Sequence, residues 1–196
     1  MRILVIGATG TIGRAVVSAL SSGHEVLAAS RSGAVKVDIS DPASIKAMYR
    51  SVGKVDAVVC AAGNAVFKPF GQLTDEDYRF CLDNKLMGQV NVIRFGLDHV
   101  TDGGSITVTS GVLAQNPMVG AAAISMVNSG LEGFVRGAAL EAPRGIRVNV
   151  VSPPWVTETL IAFKMDPQGG KPAAEVAKAY VKAVTSKVNG ATIPGS

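Results

Sequence analysis

Three glycines near the start of the chain have the type and spacing of a phosphate-binding loop. Gly7, Gly10 and Gly13 lie in GATGTIG, between the apolar run RILVI and a segment of helical periodicity. There the first glycine permits a tight turn, the second lets a pyrophosphate approach the backbone, and the third lets the helix pack on the strand. The amides of Thr11 and Ile12 would offer donors at the positive end of a helix dipole. The motif therefore predicts a dinucleotide-binding site.

The end of the second predicted strand indicates which dinucleotide is bound. The stretch ASRSG places Ser30, Arg31 and Ser32 there, and no acidic residue occurs between Glu25 and Asp38. An acid at this point would hold the ribose hydroxyls of NAD, whereas an arginine fork pairs with a 2′-phosphate. A solvated arginine at the start of a loop is the alternative. Because the glycine loop is also present, we predict that the cofactor is NADP(H).

Strand and helix signals alternate along the chain without an internal linker. Apolar runs predict strands at residues 2–6, 24–30, 35–39, 55–63, 104–111, 146–154 and, as a short last strand, 189–195. Helical periodicity predicts helices at residues 11–23, 41–53, 74–100, 120–140 and 171–186. Asp41 followed by Pro42 marks one helix start, and Thr74 or Asp75 marks another. This alternation predicts an α/β fold: a doubly wound parallel sheet of about seven strands with helices on both faces.

Composition limits the classes of function. The 196 residues are 47% hydrophobic and 17% charged, which predicts one globular domain over residues 1–196. The net charge of +4 is scattered without a Lys/Arg run, so we predict no nucleic-acid partner. The apolar start of the chain is too short for a signal-peptide core or a membrane span. Cys60 and Cys81 are expected to be buried free thiols, so we predict a cytoplasmic protein without a bound metal ion.

Six segments spread over nearly the whole chain resemble the short-chain dehydrogenase/reductase family. They are GATGTIG, VDIS, CAAGNA, NKLMGQVNV, GSITVTSG and APRGIRVNVVSPPWVTET. The resemblance implies that Asp38 and Ile39 flank the adenine. It also implies contacts to the adenosine ribose from Ala61, Ala62 and Gly63, and contacts to the nicotinamide end from Pro153, Trp155 and Val156. The predicted cofactor site is completed by Gly7, Thr9, Gly10, Thr11, Ile12, Gly13, Ser30, Arg31 and Ser32.

The proton-transfer residues of that family are not matched on the predicted helix 120–140. In the family, a Tyr and a Lys one helical turn apart act with a Ser at the preceding strand end and with a helix Asn. The segment GLEGF anchors the comparison and places Ile124 at the Tyr position and Asn128 at the Lys position. Gly111 then falls at the Ser position, while Asn84 matches the Asn. The resemblance therefore implies an active site without the usual acid.

Polar residues around these positions remain candidates for orienting a substrate. Ser110 and Thr109 are adjacent to the Ser position and could substitute for it. We predict that Asn84, Ser110 and Asn128 line the reaction centre. The alternatives are that Asn84 holds a helix distortion together with water and that Ser110 caps the strand end. The tyrosines fall in helices that the family places away from this edge: Tyr49, Tyr78 and Tyr180.

The loss of a positioned general acid restricts the chemistry. Such a group contributes roughly 10²–10⁴ in rate, and Asn128 carries no charge with which to lower the pKa of a neighbouring hydroxyl. We therefore predict an NADP(H)-dependent oxidoreductase that acts on a small organic substrate needing little general-acid help. An iminium, an activated double bond or a reactive carbonyl would qualify. The alternative is a catalytically inactive NADP(H)-binding redox sensor or scaffold.

Two further regions carry expectations about substrate and assembly. Residues 157–186 form a short substrate region, in which LIAFKMDPQGGKP is either an apolar flap with a glycine-rich hinge or a loop packed on the sheet edge. The helix 120–140 has two neighbouring apolar stripes, and both cannot face one sheet. We predict a homodimer or homotetramer through this helix, with Gly130, Phe134 and Ala138 near a two-fold axis.

Overall fold

Seven parallel strands form a single sheet in the order β3-β2-β1-β4-β5-β6-β7 in the computed structural model, which describes residues 1–195. The strands are β1 Arg2–Ile6, β2 Glu25–Ser30, β3 Val35–Lys36, β4 Val55–Cys60, β5 Val100–Thr109, β6 Arg147–Ser152 and β7 Thr192–Pro194. The α-helices are α1 Thr11–Ser21, α2 Pro42–Val52, α3 Asp75–Cys81, α4 Gly88–Gly96, α5 Ala122–Glu141, α6 Thr157–Ala162 and α7 Ala173–Thr185. The predicted doubly wound α/β fold is confirmed.

The first strand shows how the core is divided. Successive side chains of a strand point to opposite faces of the sheet. Ile3 and Val5 accordingly join one buried cluster, which contains residues of α1 and α7. Leu4 and Ile6 join another, which contains residues of α2, α4 and α5. The strand is buried from both sides, as its continuous apolar run indicates.

Two helix starts follow the predicted capping chemistry. The Asp41 carboxylate accepts a hydrogen bond from the backbone N of Ala43 at 2.8 Å, and Pro42 occupies the first turn. Thr74, not Asp75, caps α3, because its hydroxyl accepts from the backbone N of Asp77 while the Asp77 carboxylate accepts from the backbone N of Thr74. This reciprocal capping box satisfies two otherwise unpaired donors.

The structure differs from the predicted elements in three places. β3 covers only Val35–Lys36, so the stretch that includes Asp38 and Ile39 is a loop at the cleft. The short helix α6 was not predicted as a helix. The predicted helix 74–100 ends at Gly96, and β5 begins at Val100. Within residues 1–195, none of the helices combines the length and apolar character that crossing a membrane requires.

A π-helical turn, Leu82–Met87, joins α3 to α4. Such a turn closes hydrogen bonds one residue further along than an α-helix does, and it is frequent at functional sites. The helix resumes at Gly88, where an added Cβ would lie 2.9 Å from the carbonyl oxygen of Ile39. The absence of a side chain at Gly88 therefore allows α4 to start close against the Asp38–Ile39 loop.

Candidate cofactor and substrate cleft

A cleft of about 930 Å³ opens along the carboxyl ends of the central strands. Its walls include the glycine loop after β1, the loops after β2, β4 and β5, and the Pro153–Val156 loop after β6. The strand order reverses between β1 and β4, since β2 follows β1 on one side and β4 lies on the other. The cleft therefore lies at the position where doubly wound folds bind ligands.

The glycine loop is built to receive an anion. Gly7 has φ +83°, and a Cβ there would lie 2.8 Å from the carbonyl oxygen of Ala61. A Cβ at Gly13 would collide with the Gly7 carbonyl, so Gly13 holds α1 against the loop without lining the cleft itself. The residue capping α1 is Gly10, which supplies no side-chain partner, and the first turn contains no acid. The free amides and the helix dipole at this end fit a pyrophosphate.

The end of the cleft beside β2 contains a cation and an unpaired hydroxyl. Arg31 is exposed and lines the cleft, whereas Ser32 is exposed and does not. The Ser30 hydroxyl is buried and has no hydrogen-bond partner among the described residues. Hydrogen bonds from the hydroxyl and backbone N of Ser40 hold the pKa of Asp38 below its usual value. A negatively charged Asp38 and a positively charged Arg31 thus face the same end of the cleft.

The hydroxyls at the end of β5 are already bonded to protein groups. Ser110 Oγ donates to Glu132 Oε1 at 2.7 Å, and Glu132 is buried with 5% of its surface exposed. Thr109 Oγ1 donates to the carbonyl oxygen of Cys60 at 2.7 Å and lies 2.8 Å from the Tyr180 hydroxyl. Tyr180 does not line the cleft, but it reaches a residue that does, so it lies nearer to this edge than predicted. Burial raises the pKa of Tyr180.

Asn128 presents a hydrogen-bond acceptor where the family resemblance implies a lysine. Its side chain is buried and lines the cleft beside Ile124. Nδ2 donates to the carbonyl oxygen of Gly111 at 3.4 Å, and Oδ1 has no partner within the described residues. A buried carbonyl oxygen without a partner costs free energy unless a donor reaches it. Asn128 therefore leaves one buried acceptor without a partner at the cleft wall.

Asn84 secures the loop that follows β4. It is half-buried, lines the cleft and lies in the π turn. Its Oδ1 accepts a hydrogen bond from the backbone N of Asn64 at 2.7 Å. This bond ties the π turn to the loop next to Gly63, so Asn84 has a structural role in addition to its place in the cleft wall.

Lys85 lines the cleft and was not predicted as a site residue. Its ammonium donates to the carbonyl oxygen of Ser110 at 3.2 Å, and its stem lies against Gly63, where an added Cβ would be 3.2 Å from Lys85 Cγ. Burial of the ammonium lowers the pKa of Lys85 to about 8, an effect that the nearby thiols of Cys60 and Cys81 partly oppose. Among the described residues, Lys85 is the only lysine that lines this cleft.

The sequence does contain a signal for Lys85. The helical spacing of 81, 85, 88 and 92 places it in line with Cys81, Gly88 and Val92, all of which are buried. A lysine in the apolar stripe of a helix is unusual, because an ammonium is rarely buried unless it is paired. The pattern therefore marks position 85 as a candidate functional residue. The resemblance to the family points to the neighbouring Asn84 instead, because only Asn84 matches a family motif.

The C-terminal wall combines a helix with an apolar segment. Trp155 and Val156 lead into α6, and Phe163 and Met165 beyond α6 also line the cleft. The segment is anchored at its far end, because backbone bonds join Thr157 N to Lys171 O and Lys171 N to Trp155 O at 2.9 and 2.8 Å. Two of its apolar side chains, Phe163 and Met165, line the cleft as the flap alternative predicts, whereas Leu160 is buried and Ile161 is exposed outside the cleft wall.

Most of the predicted site residues share this one cleft. The exceptions are Gly13 and Ser32, which do not line it. The residues that line it are Gly7, Thr9, Gly10, Thr11, Ile12, Ser30, Arg31, Asp38, Ile39, Ala61, Ala62, Gly63, Asn84, Ser110, Asn128, Pro153, Trp155 and Val156. Within residues 1–195 there is no group of three or more His, Cys, Asp or Glu side chains that could hold a metal ion.

Comparison with known proteins agrees with this architecture. Residues 11–190 match the family model described as "Enoyl-(Acyl carrier protein) reductase". The protein lin1944 from Listeria innocua is 42% identical, with a TM-score of 0.95 and coverage of 99% of this chain and 98% of that one. A small-chain dehydrogenase solved in complex with NADPH is 25% identical, with a TM-score of 0.87 and coverage of 99% and 95%.

A curated relative, the hydroxynaphthalene reductase-like protein Arp2 of Metarhizium brunneum, is 31% identical over 160 residues. The match covers 76% of this chain but 60% of that relative, and the match to the Aspergillus fumigatus hydroxynaphthalene reductase covers 47% of its length. The chain thus spans about half the length of the curated relatives it matches. It belongs to the short-chain dehydrogenase/reductase family.

Proposed function

We propose that the protein is an NADP(H)-dependent oxidoreductase that transfers hydride to or from a small organic substrate. The observation that carries the proposal is one cleft that brings three features together at the strand ends. Its wall contains Arg31 after β2, the glycine loop with its free helix amides after β1, and Asn128 on α5. Family membership and the NADPH complex of a structural neighbour support it. NADP(H) supplies the hydride or accepts it.

The cleft residues fit a nicotinamide dinucleotide. The cradle leaves no room for a side chain at Gly7, where a Cβ would lie 2.8 Å from the carbonyl oxygen of Ala61, and little room at Gly10, where it would lie 3.3 Å from that of Gly7. This close backbone would receive the pyrophosphate. The exposed Arg31 guanidinium, next to Ser30 in the cleft wall, would bind the 2′-phosphate, since a charged fork forms paired hydrogen bonds with phosphate oxygens. The Pro153–Val156 loop would contact the nicotinamide end, with Trp155 as its wall.

The proposed active site is non-standard because Ile124 and Asn128 replace the Tyr and Lys of the family on α5. Ile124 offers no proton, and Asn128 Oδ1 offers an acceptor that can orient a hydroxyl or an amide of a bound molecule. The apolar side chains of Phe163 and Met165 would cover the outer side of a small substrate. Residues 157–186 therefore form the proposed substrate region.

The test is binding followed by turnover. Titration of the protein with NADPH and with NADH, followed by cofactor fluorescence, should show tighter binding of NADPH. NADPH consumption should then be measured over a panel of reactive carbonyls, cyclic iminium ions and activated alkenes. The proposal requires consumption with at least one class. NADPH binding without turnover on any member of the panel would indicate a binding protein instead.

A further inference from the structure

We propose, building on the oxidoreductase function proposed above, that Lys85 is the catalytic residue that exchanges the proton with the substrate when hydride is transferred. The proposal starts from position. The π turn Leu82–Met87 places Lys85 in the wall of the cleft, and the contact of its Nζ with the carbonyl oxygen of Ser110 points the ammonium at the end of β5.

That position lies next to the proposed nicotinamide end. The loop after β5 is bonded to the end of β6 and the loop beyond it, because Ser110 N donates to Val151 O and Val112 N donates to Pro153 O, each at 2.9 Å. Lys85 therefore borders the same junction as the Pro153–Val156 loop. A substrate held beside this loop would be within the wall that Lys85 and Asn128 share.

No other side chain in the described cleft wall exchanges a proton near neutral pH. Arg31 retains its proton at all ordinary pH values, and hydrogen bonds keep Asp38 ionised. Asn84, Asn128 and Ser110 neither gain nor release a proton in this range. Tyr180 is fully buried behind Thr109, and burial raises its pKa.

The surroundings of Lys85 suit a general acid. The titratable groups that face it are the Cys60 thiol at the end of β4 and the Cys81 thiol at the end of α3. Burial raises the pKa of Cys60 to about 12, so that thiol is neutral and does not neutralise the ammonium. From α5, Glu132 binds the Ser110 hydroxyl and not Lys85 itself. A proton donor with a pKa of about 8 is mostly charged at pH 7 and can still release its proton.

The chemical step balances without a further reactant. As hydride reaches the carbonyl carbon, the carbon–oxygen π pair moves to the oxygen, and Lys85 Nζ gives its proton to that oxygen. One N–H bond breaks and one O–H bond forms, so the products are the alcohol, the oxidised nicotinamide and a neutral amine. The amine then takes a proton from water. In the reverse direction the neutral amine accepts the proton of the alcohol.

Two variants separate proton donation from simple charge. Lys85→Met keeps the length of the side chain without charge, and Lys85→Arg keeps the charge but does not release the proton. Both variants should lose on the order of 10²–10⁴ in kcat/KM for carbonyl reduction. Both should keep NADPH binding within about threefold, less than a tenfold step in affinity. The kcat/KM of the wild type for carbonyl reduction should fall above pH about 8, and both variants should lack this decrease.

A measurement without turnover tests the same group. Trace acetylation of the intact protein at a series of pH values, read by peptide mass spectrometry, reports the titration of each lysine. Lys85 should become half-maximally reactive near pH 8, below its usual pKa of 10.5, and bound NADPH should protect it from acetylation, whereas the exposed Lys187 should not be protected. Lys187→Met should leave kcat/KM unchanged and is the matched control.

The outcomes distinguish failure of Lys85 from failure of the proposed function. Full activity in Lys85→Met or Lys85→Arg, or half-maximal reactivity of Lys85 near its usual pKa of 10.5, would overturn the role of Lys85 and leave the oxidoreductase standing. A substrate adduct trapped on Lys85 by cyanoborohydride would also overturn it, because the amine would then attack carbon. A wild-type protein that consumes no NADPH with the whole panel would overturn both.

Discussion

The buried Ser110 hydroxyl donates a hydrogen bond to the Glu132 carboxylate, with 2.7 Å between Oγ and Oε1. This bond joins a carboxylate of α5 to the end of the central strand β5. The second carboxylate oxygen of Glu132 accepts from the side-chain amide of Gln115. Both carboxylate oxygens are thus satisfied by the protein. The hydroxyl at the position considered for catalysis therefore has a structural partner.

This bond predicts a loss of stability on Ser110→Ala. A hydrogen bond to a charged group contributes about 1.5–3 kcal/mol, so the free energy of unfolding in urea should fall by about that amount. Ser18→Ala on the exposed face of α1 should change it by less than about 0.5 kcal/mol. If Ser110→Ala left stability unchanged but abolished turnover, the hydroxyl would act on the substrate and not on Glu132.

The choice of cofactor should depend on Arg31. Because the charge-assisted contact to a 2′-phosphate is worth about 1.5–3 kcal/mol, Arg31→Ala should weaken NADPH binding on the order of ten- to a hundredfold and change NADH binding little. Arg50→Ala, which removes an exposed arginine outside the cleft, is the control. Equal losses for both cofactors on Arg31→Ala would argue against the assignment to the phosphate.

A methyl group added at Gly13 should reduce stability and NADPH binding more than one added at Gly23, which lies just beyond the other end of α1. The added Cβ would collide with the Gly7 carbonyl. The clash could not be removed by a side-chain rotation, because the atoms it meets are all backbone atoms. We expect Gly13→Ala to lower the free energy of unfolding by at least about 3 kcal/mol and to abolish NADPH binding. Gly23→Ala meets no atom within 4 Å and should retain both properties. Thermal unfolding and cofactor titration of the two variants make the comparison.

The proposed oligomer can be tested on the outer face of α5. Gly130 and Gly137 are exposed there, while Phe134 and Ala138 are half-buried against the core. A Cβ at Gly137 meets no atom within 4 Å, so Gly137→Arg is sterically allowed in the monomer and improves helix propensity by up to about 1 kcal/mol.

In a dimer packed through this face, the arginine would separate the subunits. Light scattering at micromolar concentration should then show a smaller mass for Gly137→Arg than for the wild type, and Ala19→Arg on the exposed face of α1 should have no such effect. A wild-type protein that is already monomeric would contradict the prediction.

The lowered pKa of Lys85 also predicts how its contribution to stability varies with pH. Below pH about 8 the lysine is charged in both states, and the folded protein bears the full cost of burying the ammonium. Above its usual pKa of 10.5 the amine is neutral in both states, and that cost disappears. Lys85→Met should therefore be more stable than the wild type at pH 7, and the difference should shrink as pH rises from 8 to 10.5. Urea unfolding of both proteins at each pH measures this difference in stability. A difference that stays constant between pH 8 and 10.5 would mean that the pKa of Lys85 is not lowered.

Local patterns were enough to predict the sheet and the glycine turn after β1. Strands such as β1 are continuous apolar runs, and the capping residues Asp41 and Thr74 act within a few residues of their own position. The constraint on Gly7 is also local, since its positive φ belongs to the turn after β1. Features of this kind depend on neighbours in the sequence, which a single chain displays directly.

The end of the cleft beside β5 and α5, where the reaction is proposed to occur, depends on contacts between residues that are distant in the sequence, and its side-chain partners were not predicted. Glu132 is buried only because Ser110 and Gln115, far away in the sequence, bind both of its oxygens. Lys85 reaches the cleft through a π turn, which regular helical periodicity does not describe. The extent of the helix after Val156 likewise depends on the contacts to Lys171.

The number of residues in the π turn determines whether Lys85 faces the cleft. Each residue of an α-helix turns the chain by about 100°, so a deletion of Leu86 or Met87 would rotate the part of the helix that contains Lys85 by about that angle relative to the part that follows. The later part is held, since the Gln89 amide forms hydrogen bonds of 2.7 and 2.8 Å with the backbone of Thr109. The rotation would therefore fall on the earlier part and turn Lys85 out of the cleft. An insertion or deletion of one residue between Lys85 and Gln89 would thus add a lysine to the proposed reaction centre or remove it, without any substitution at the positions proposed to bind the cofactor.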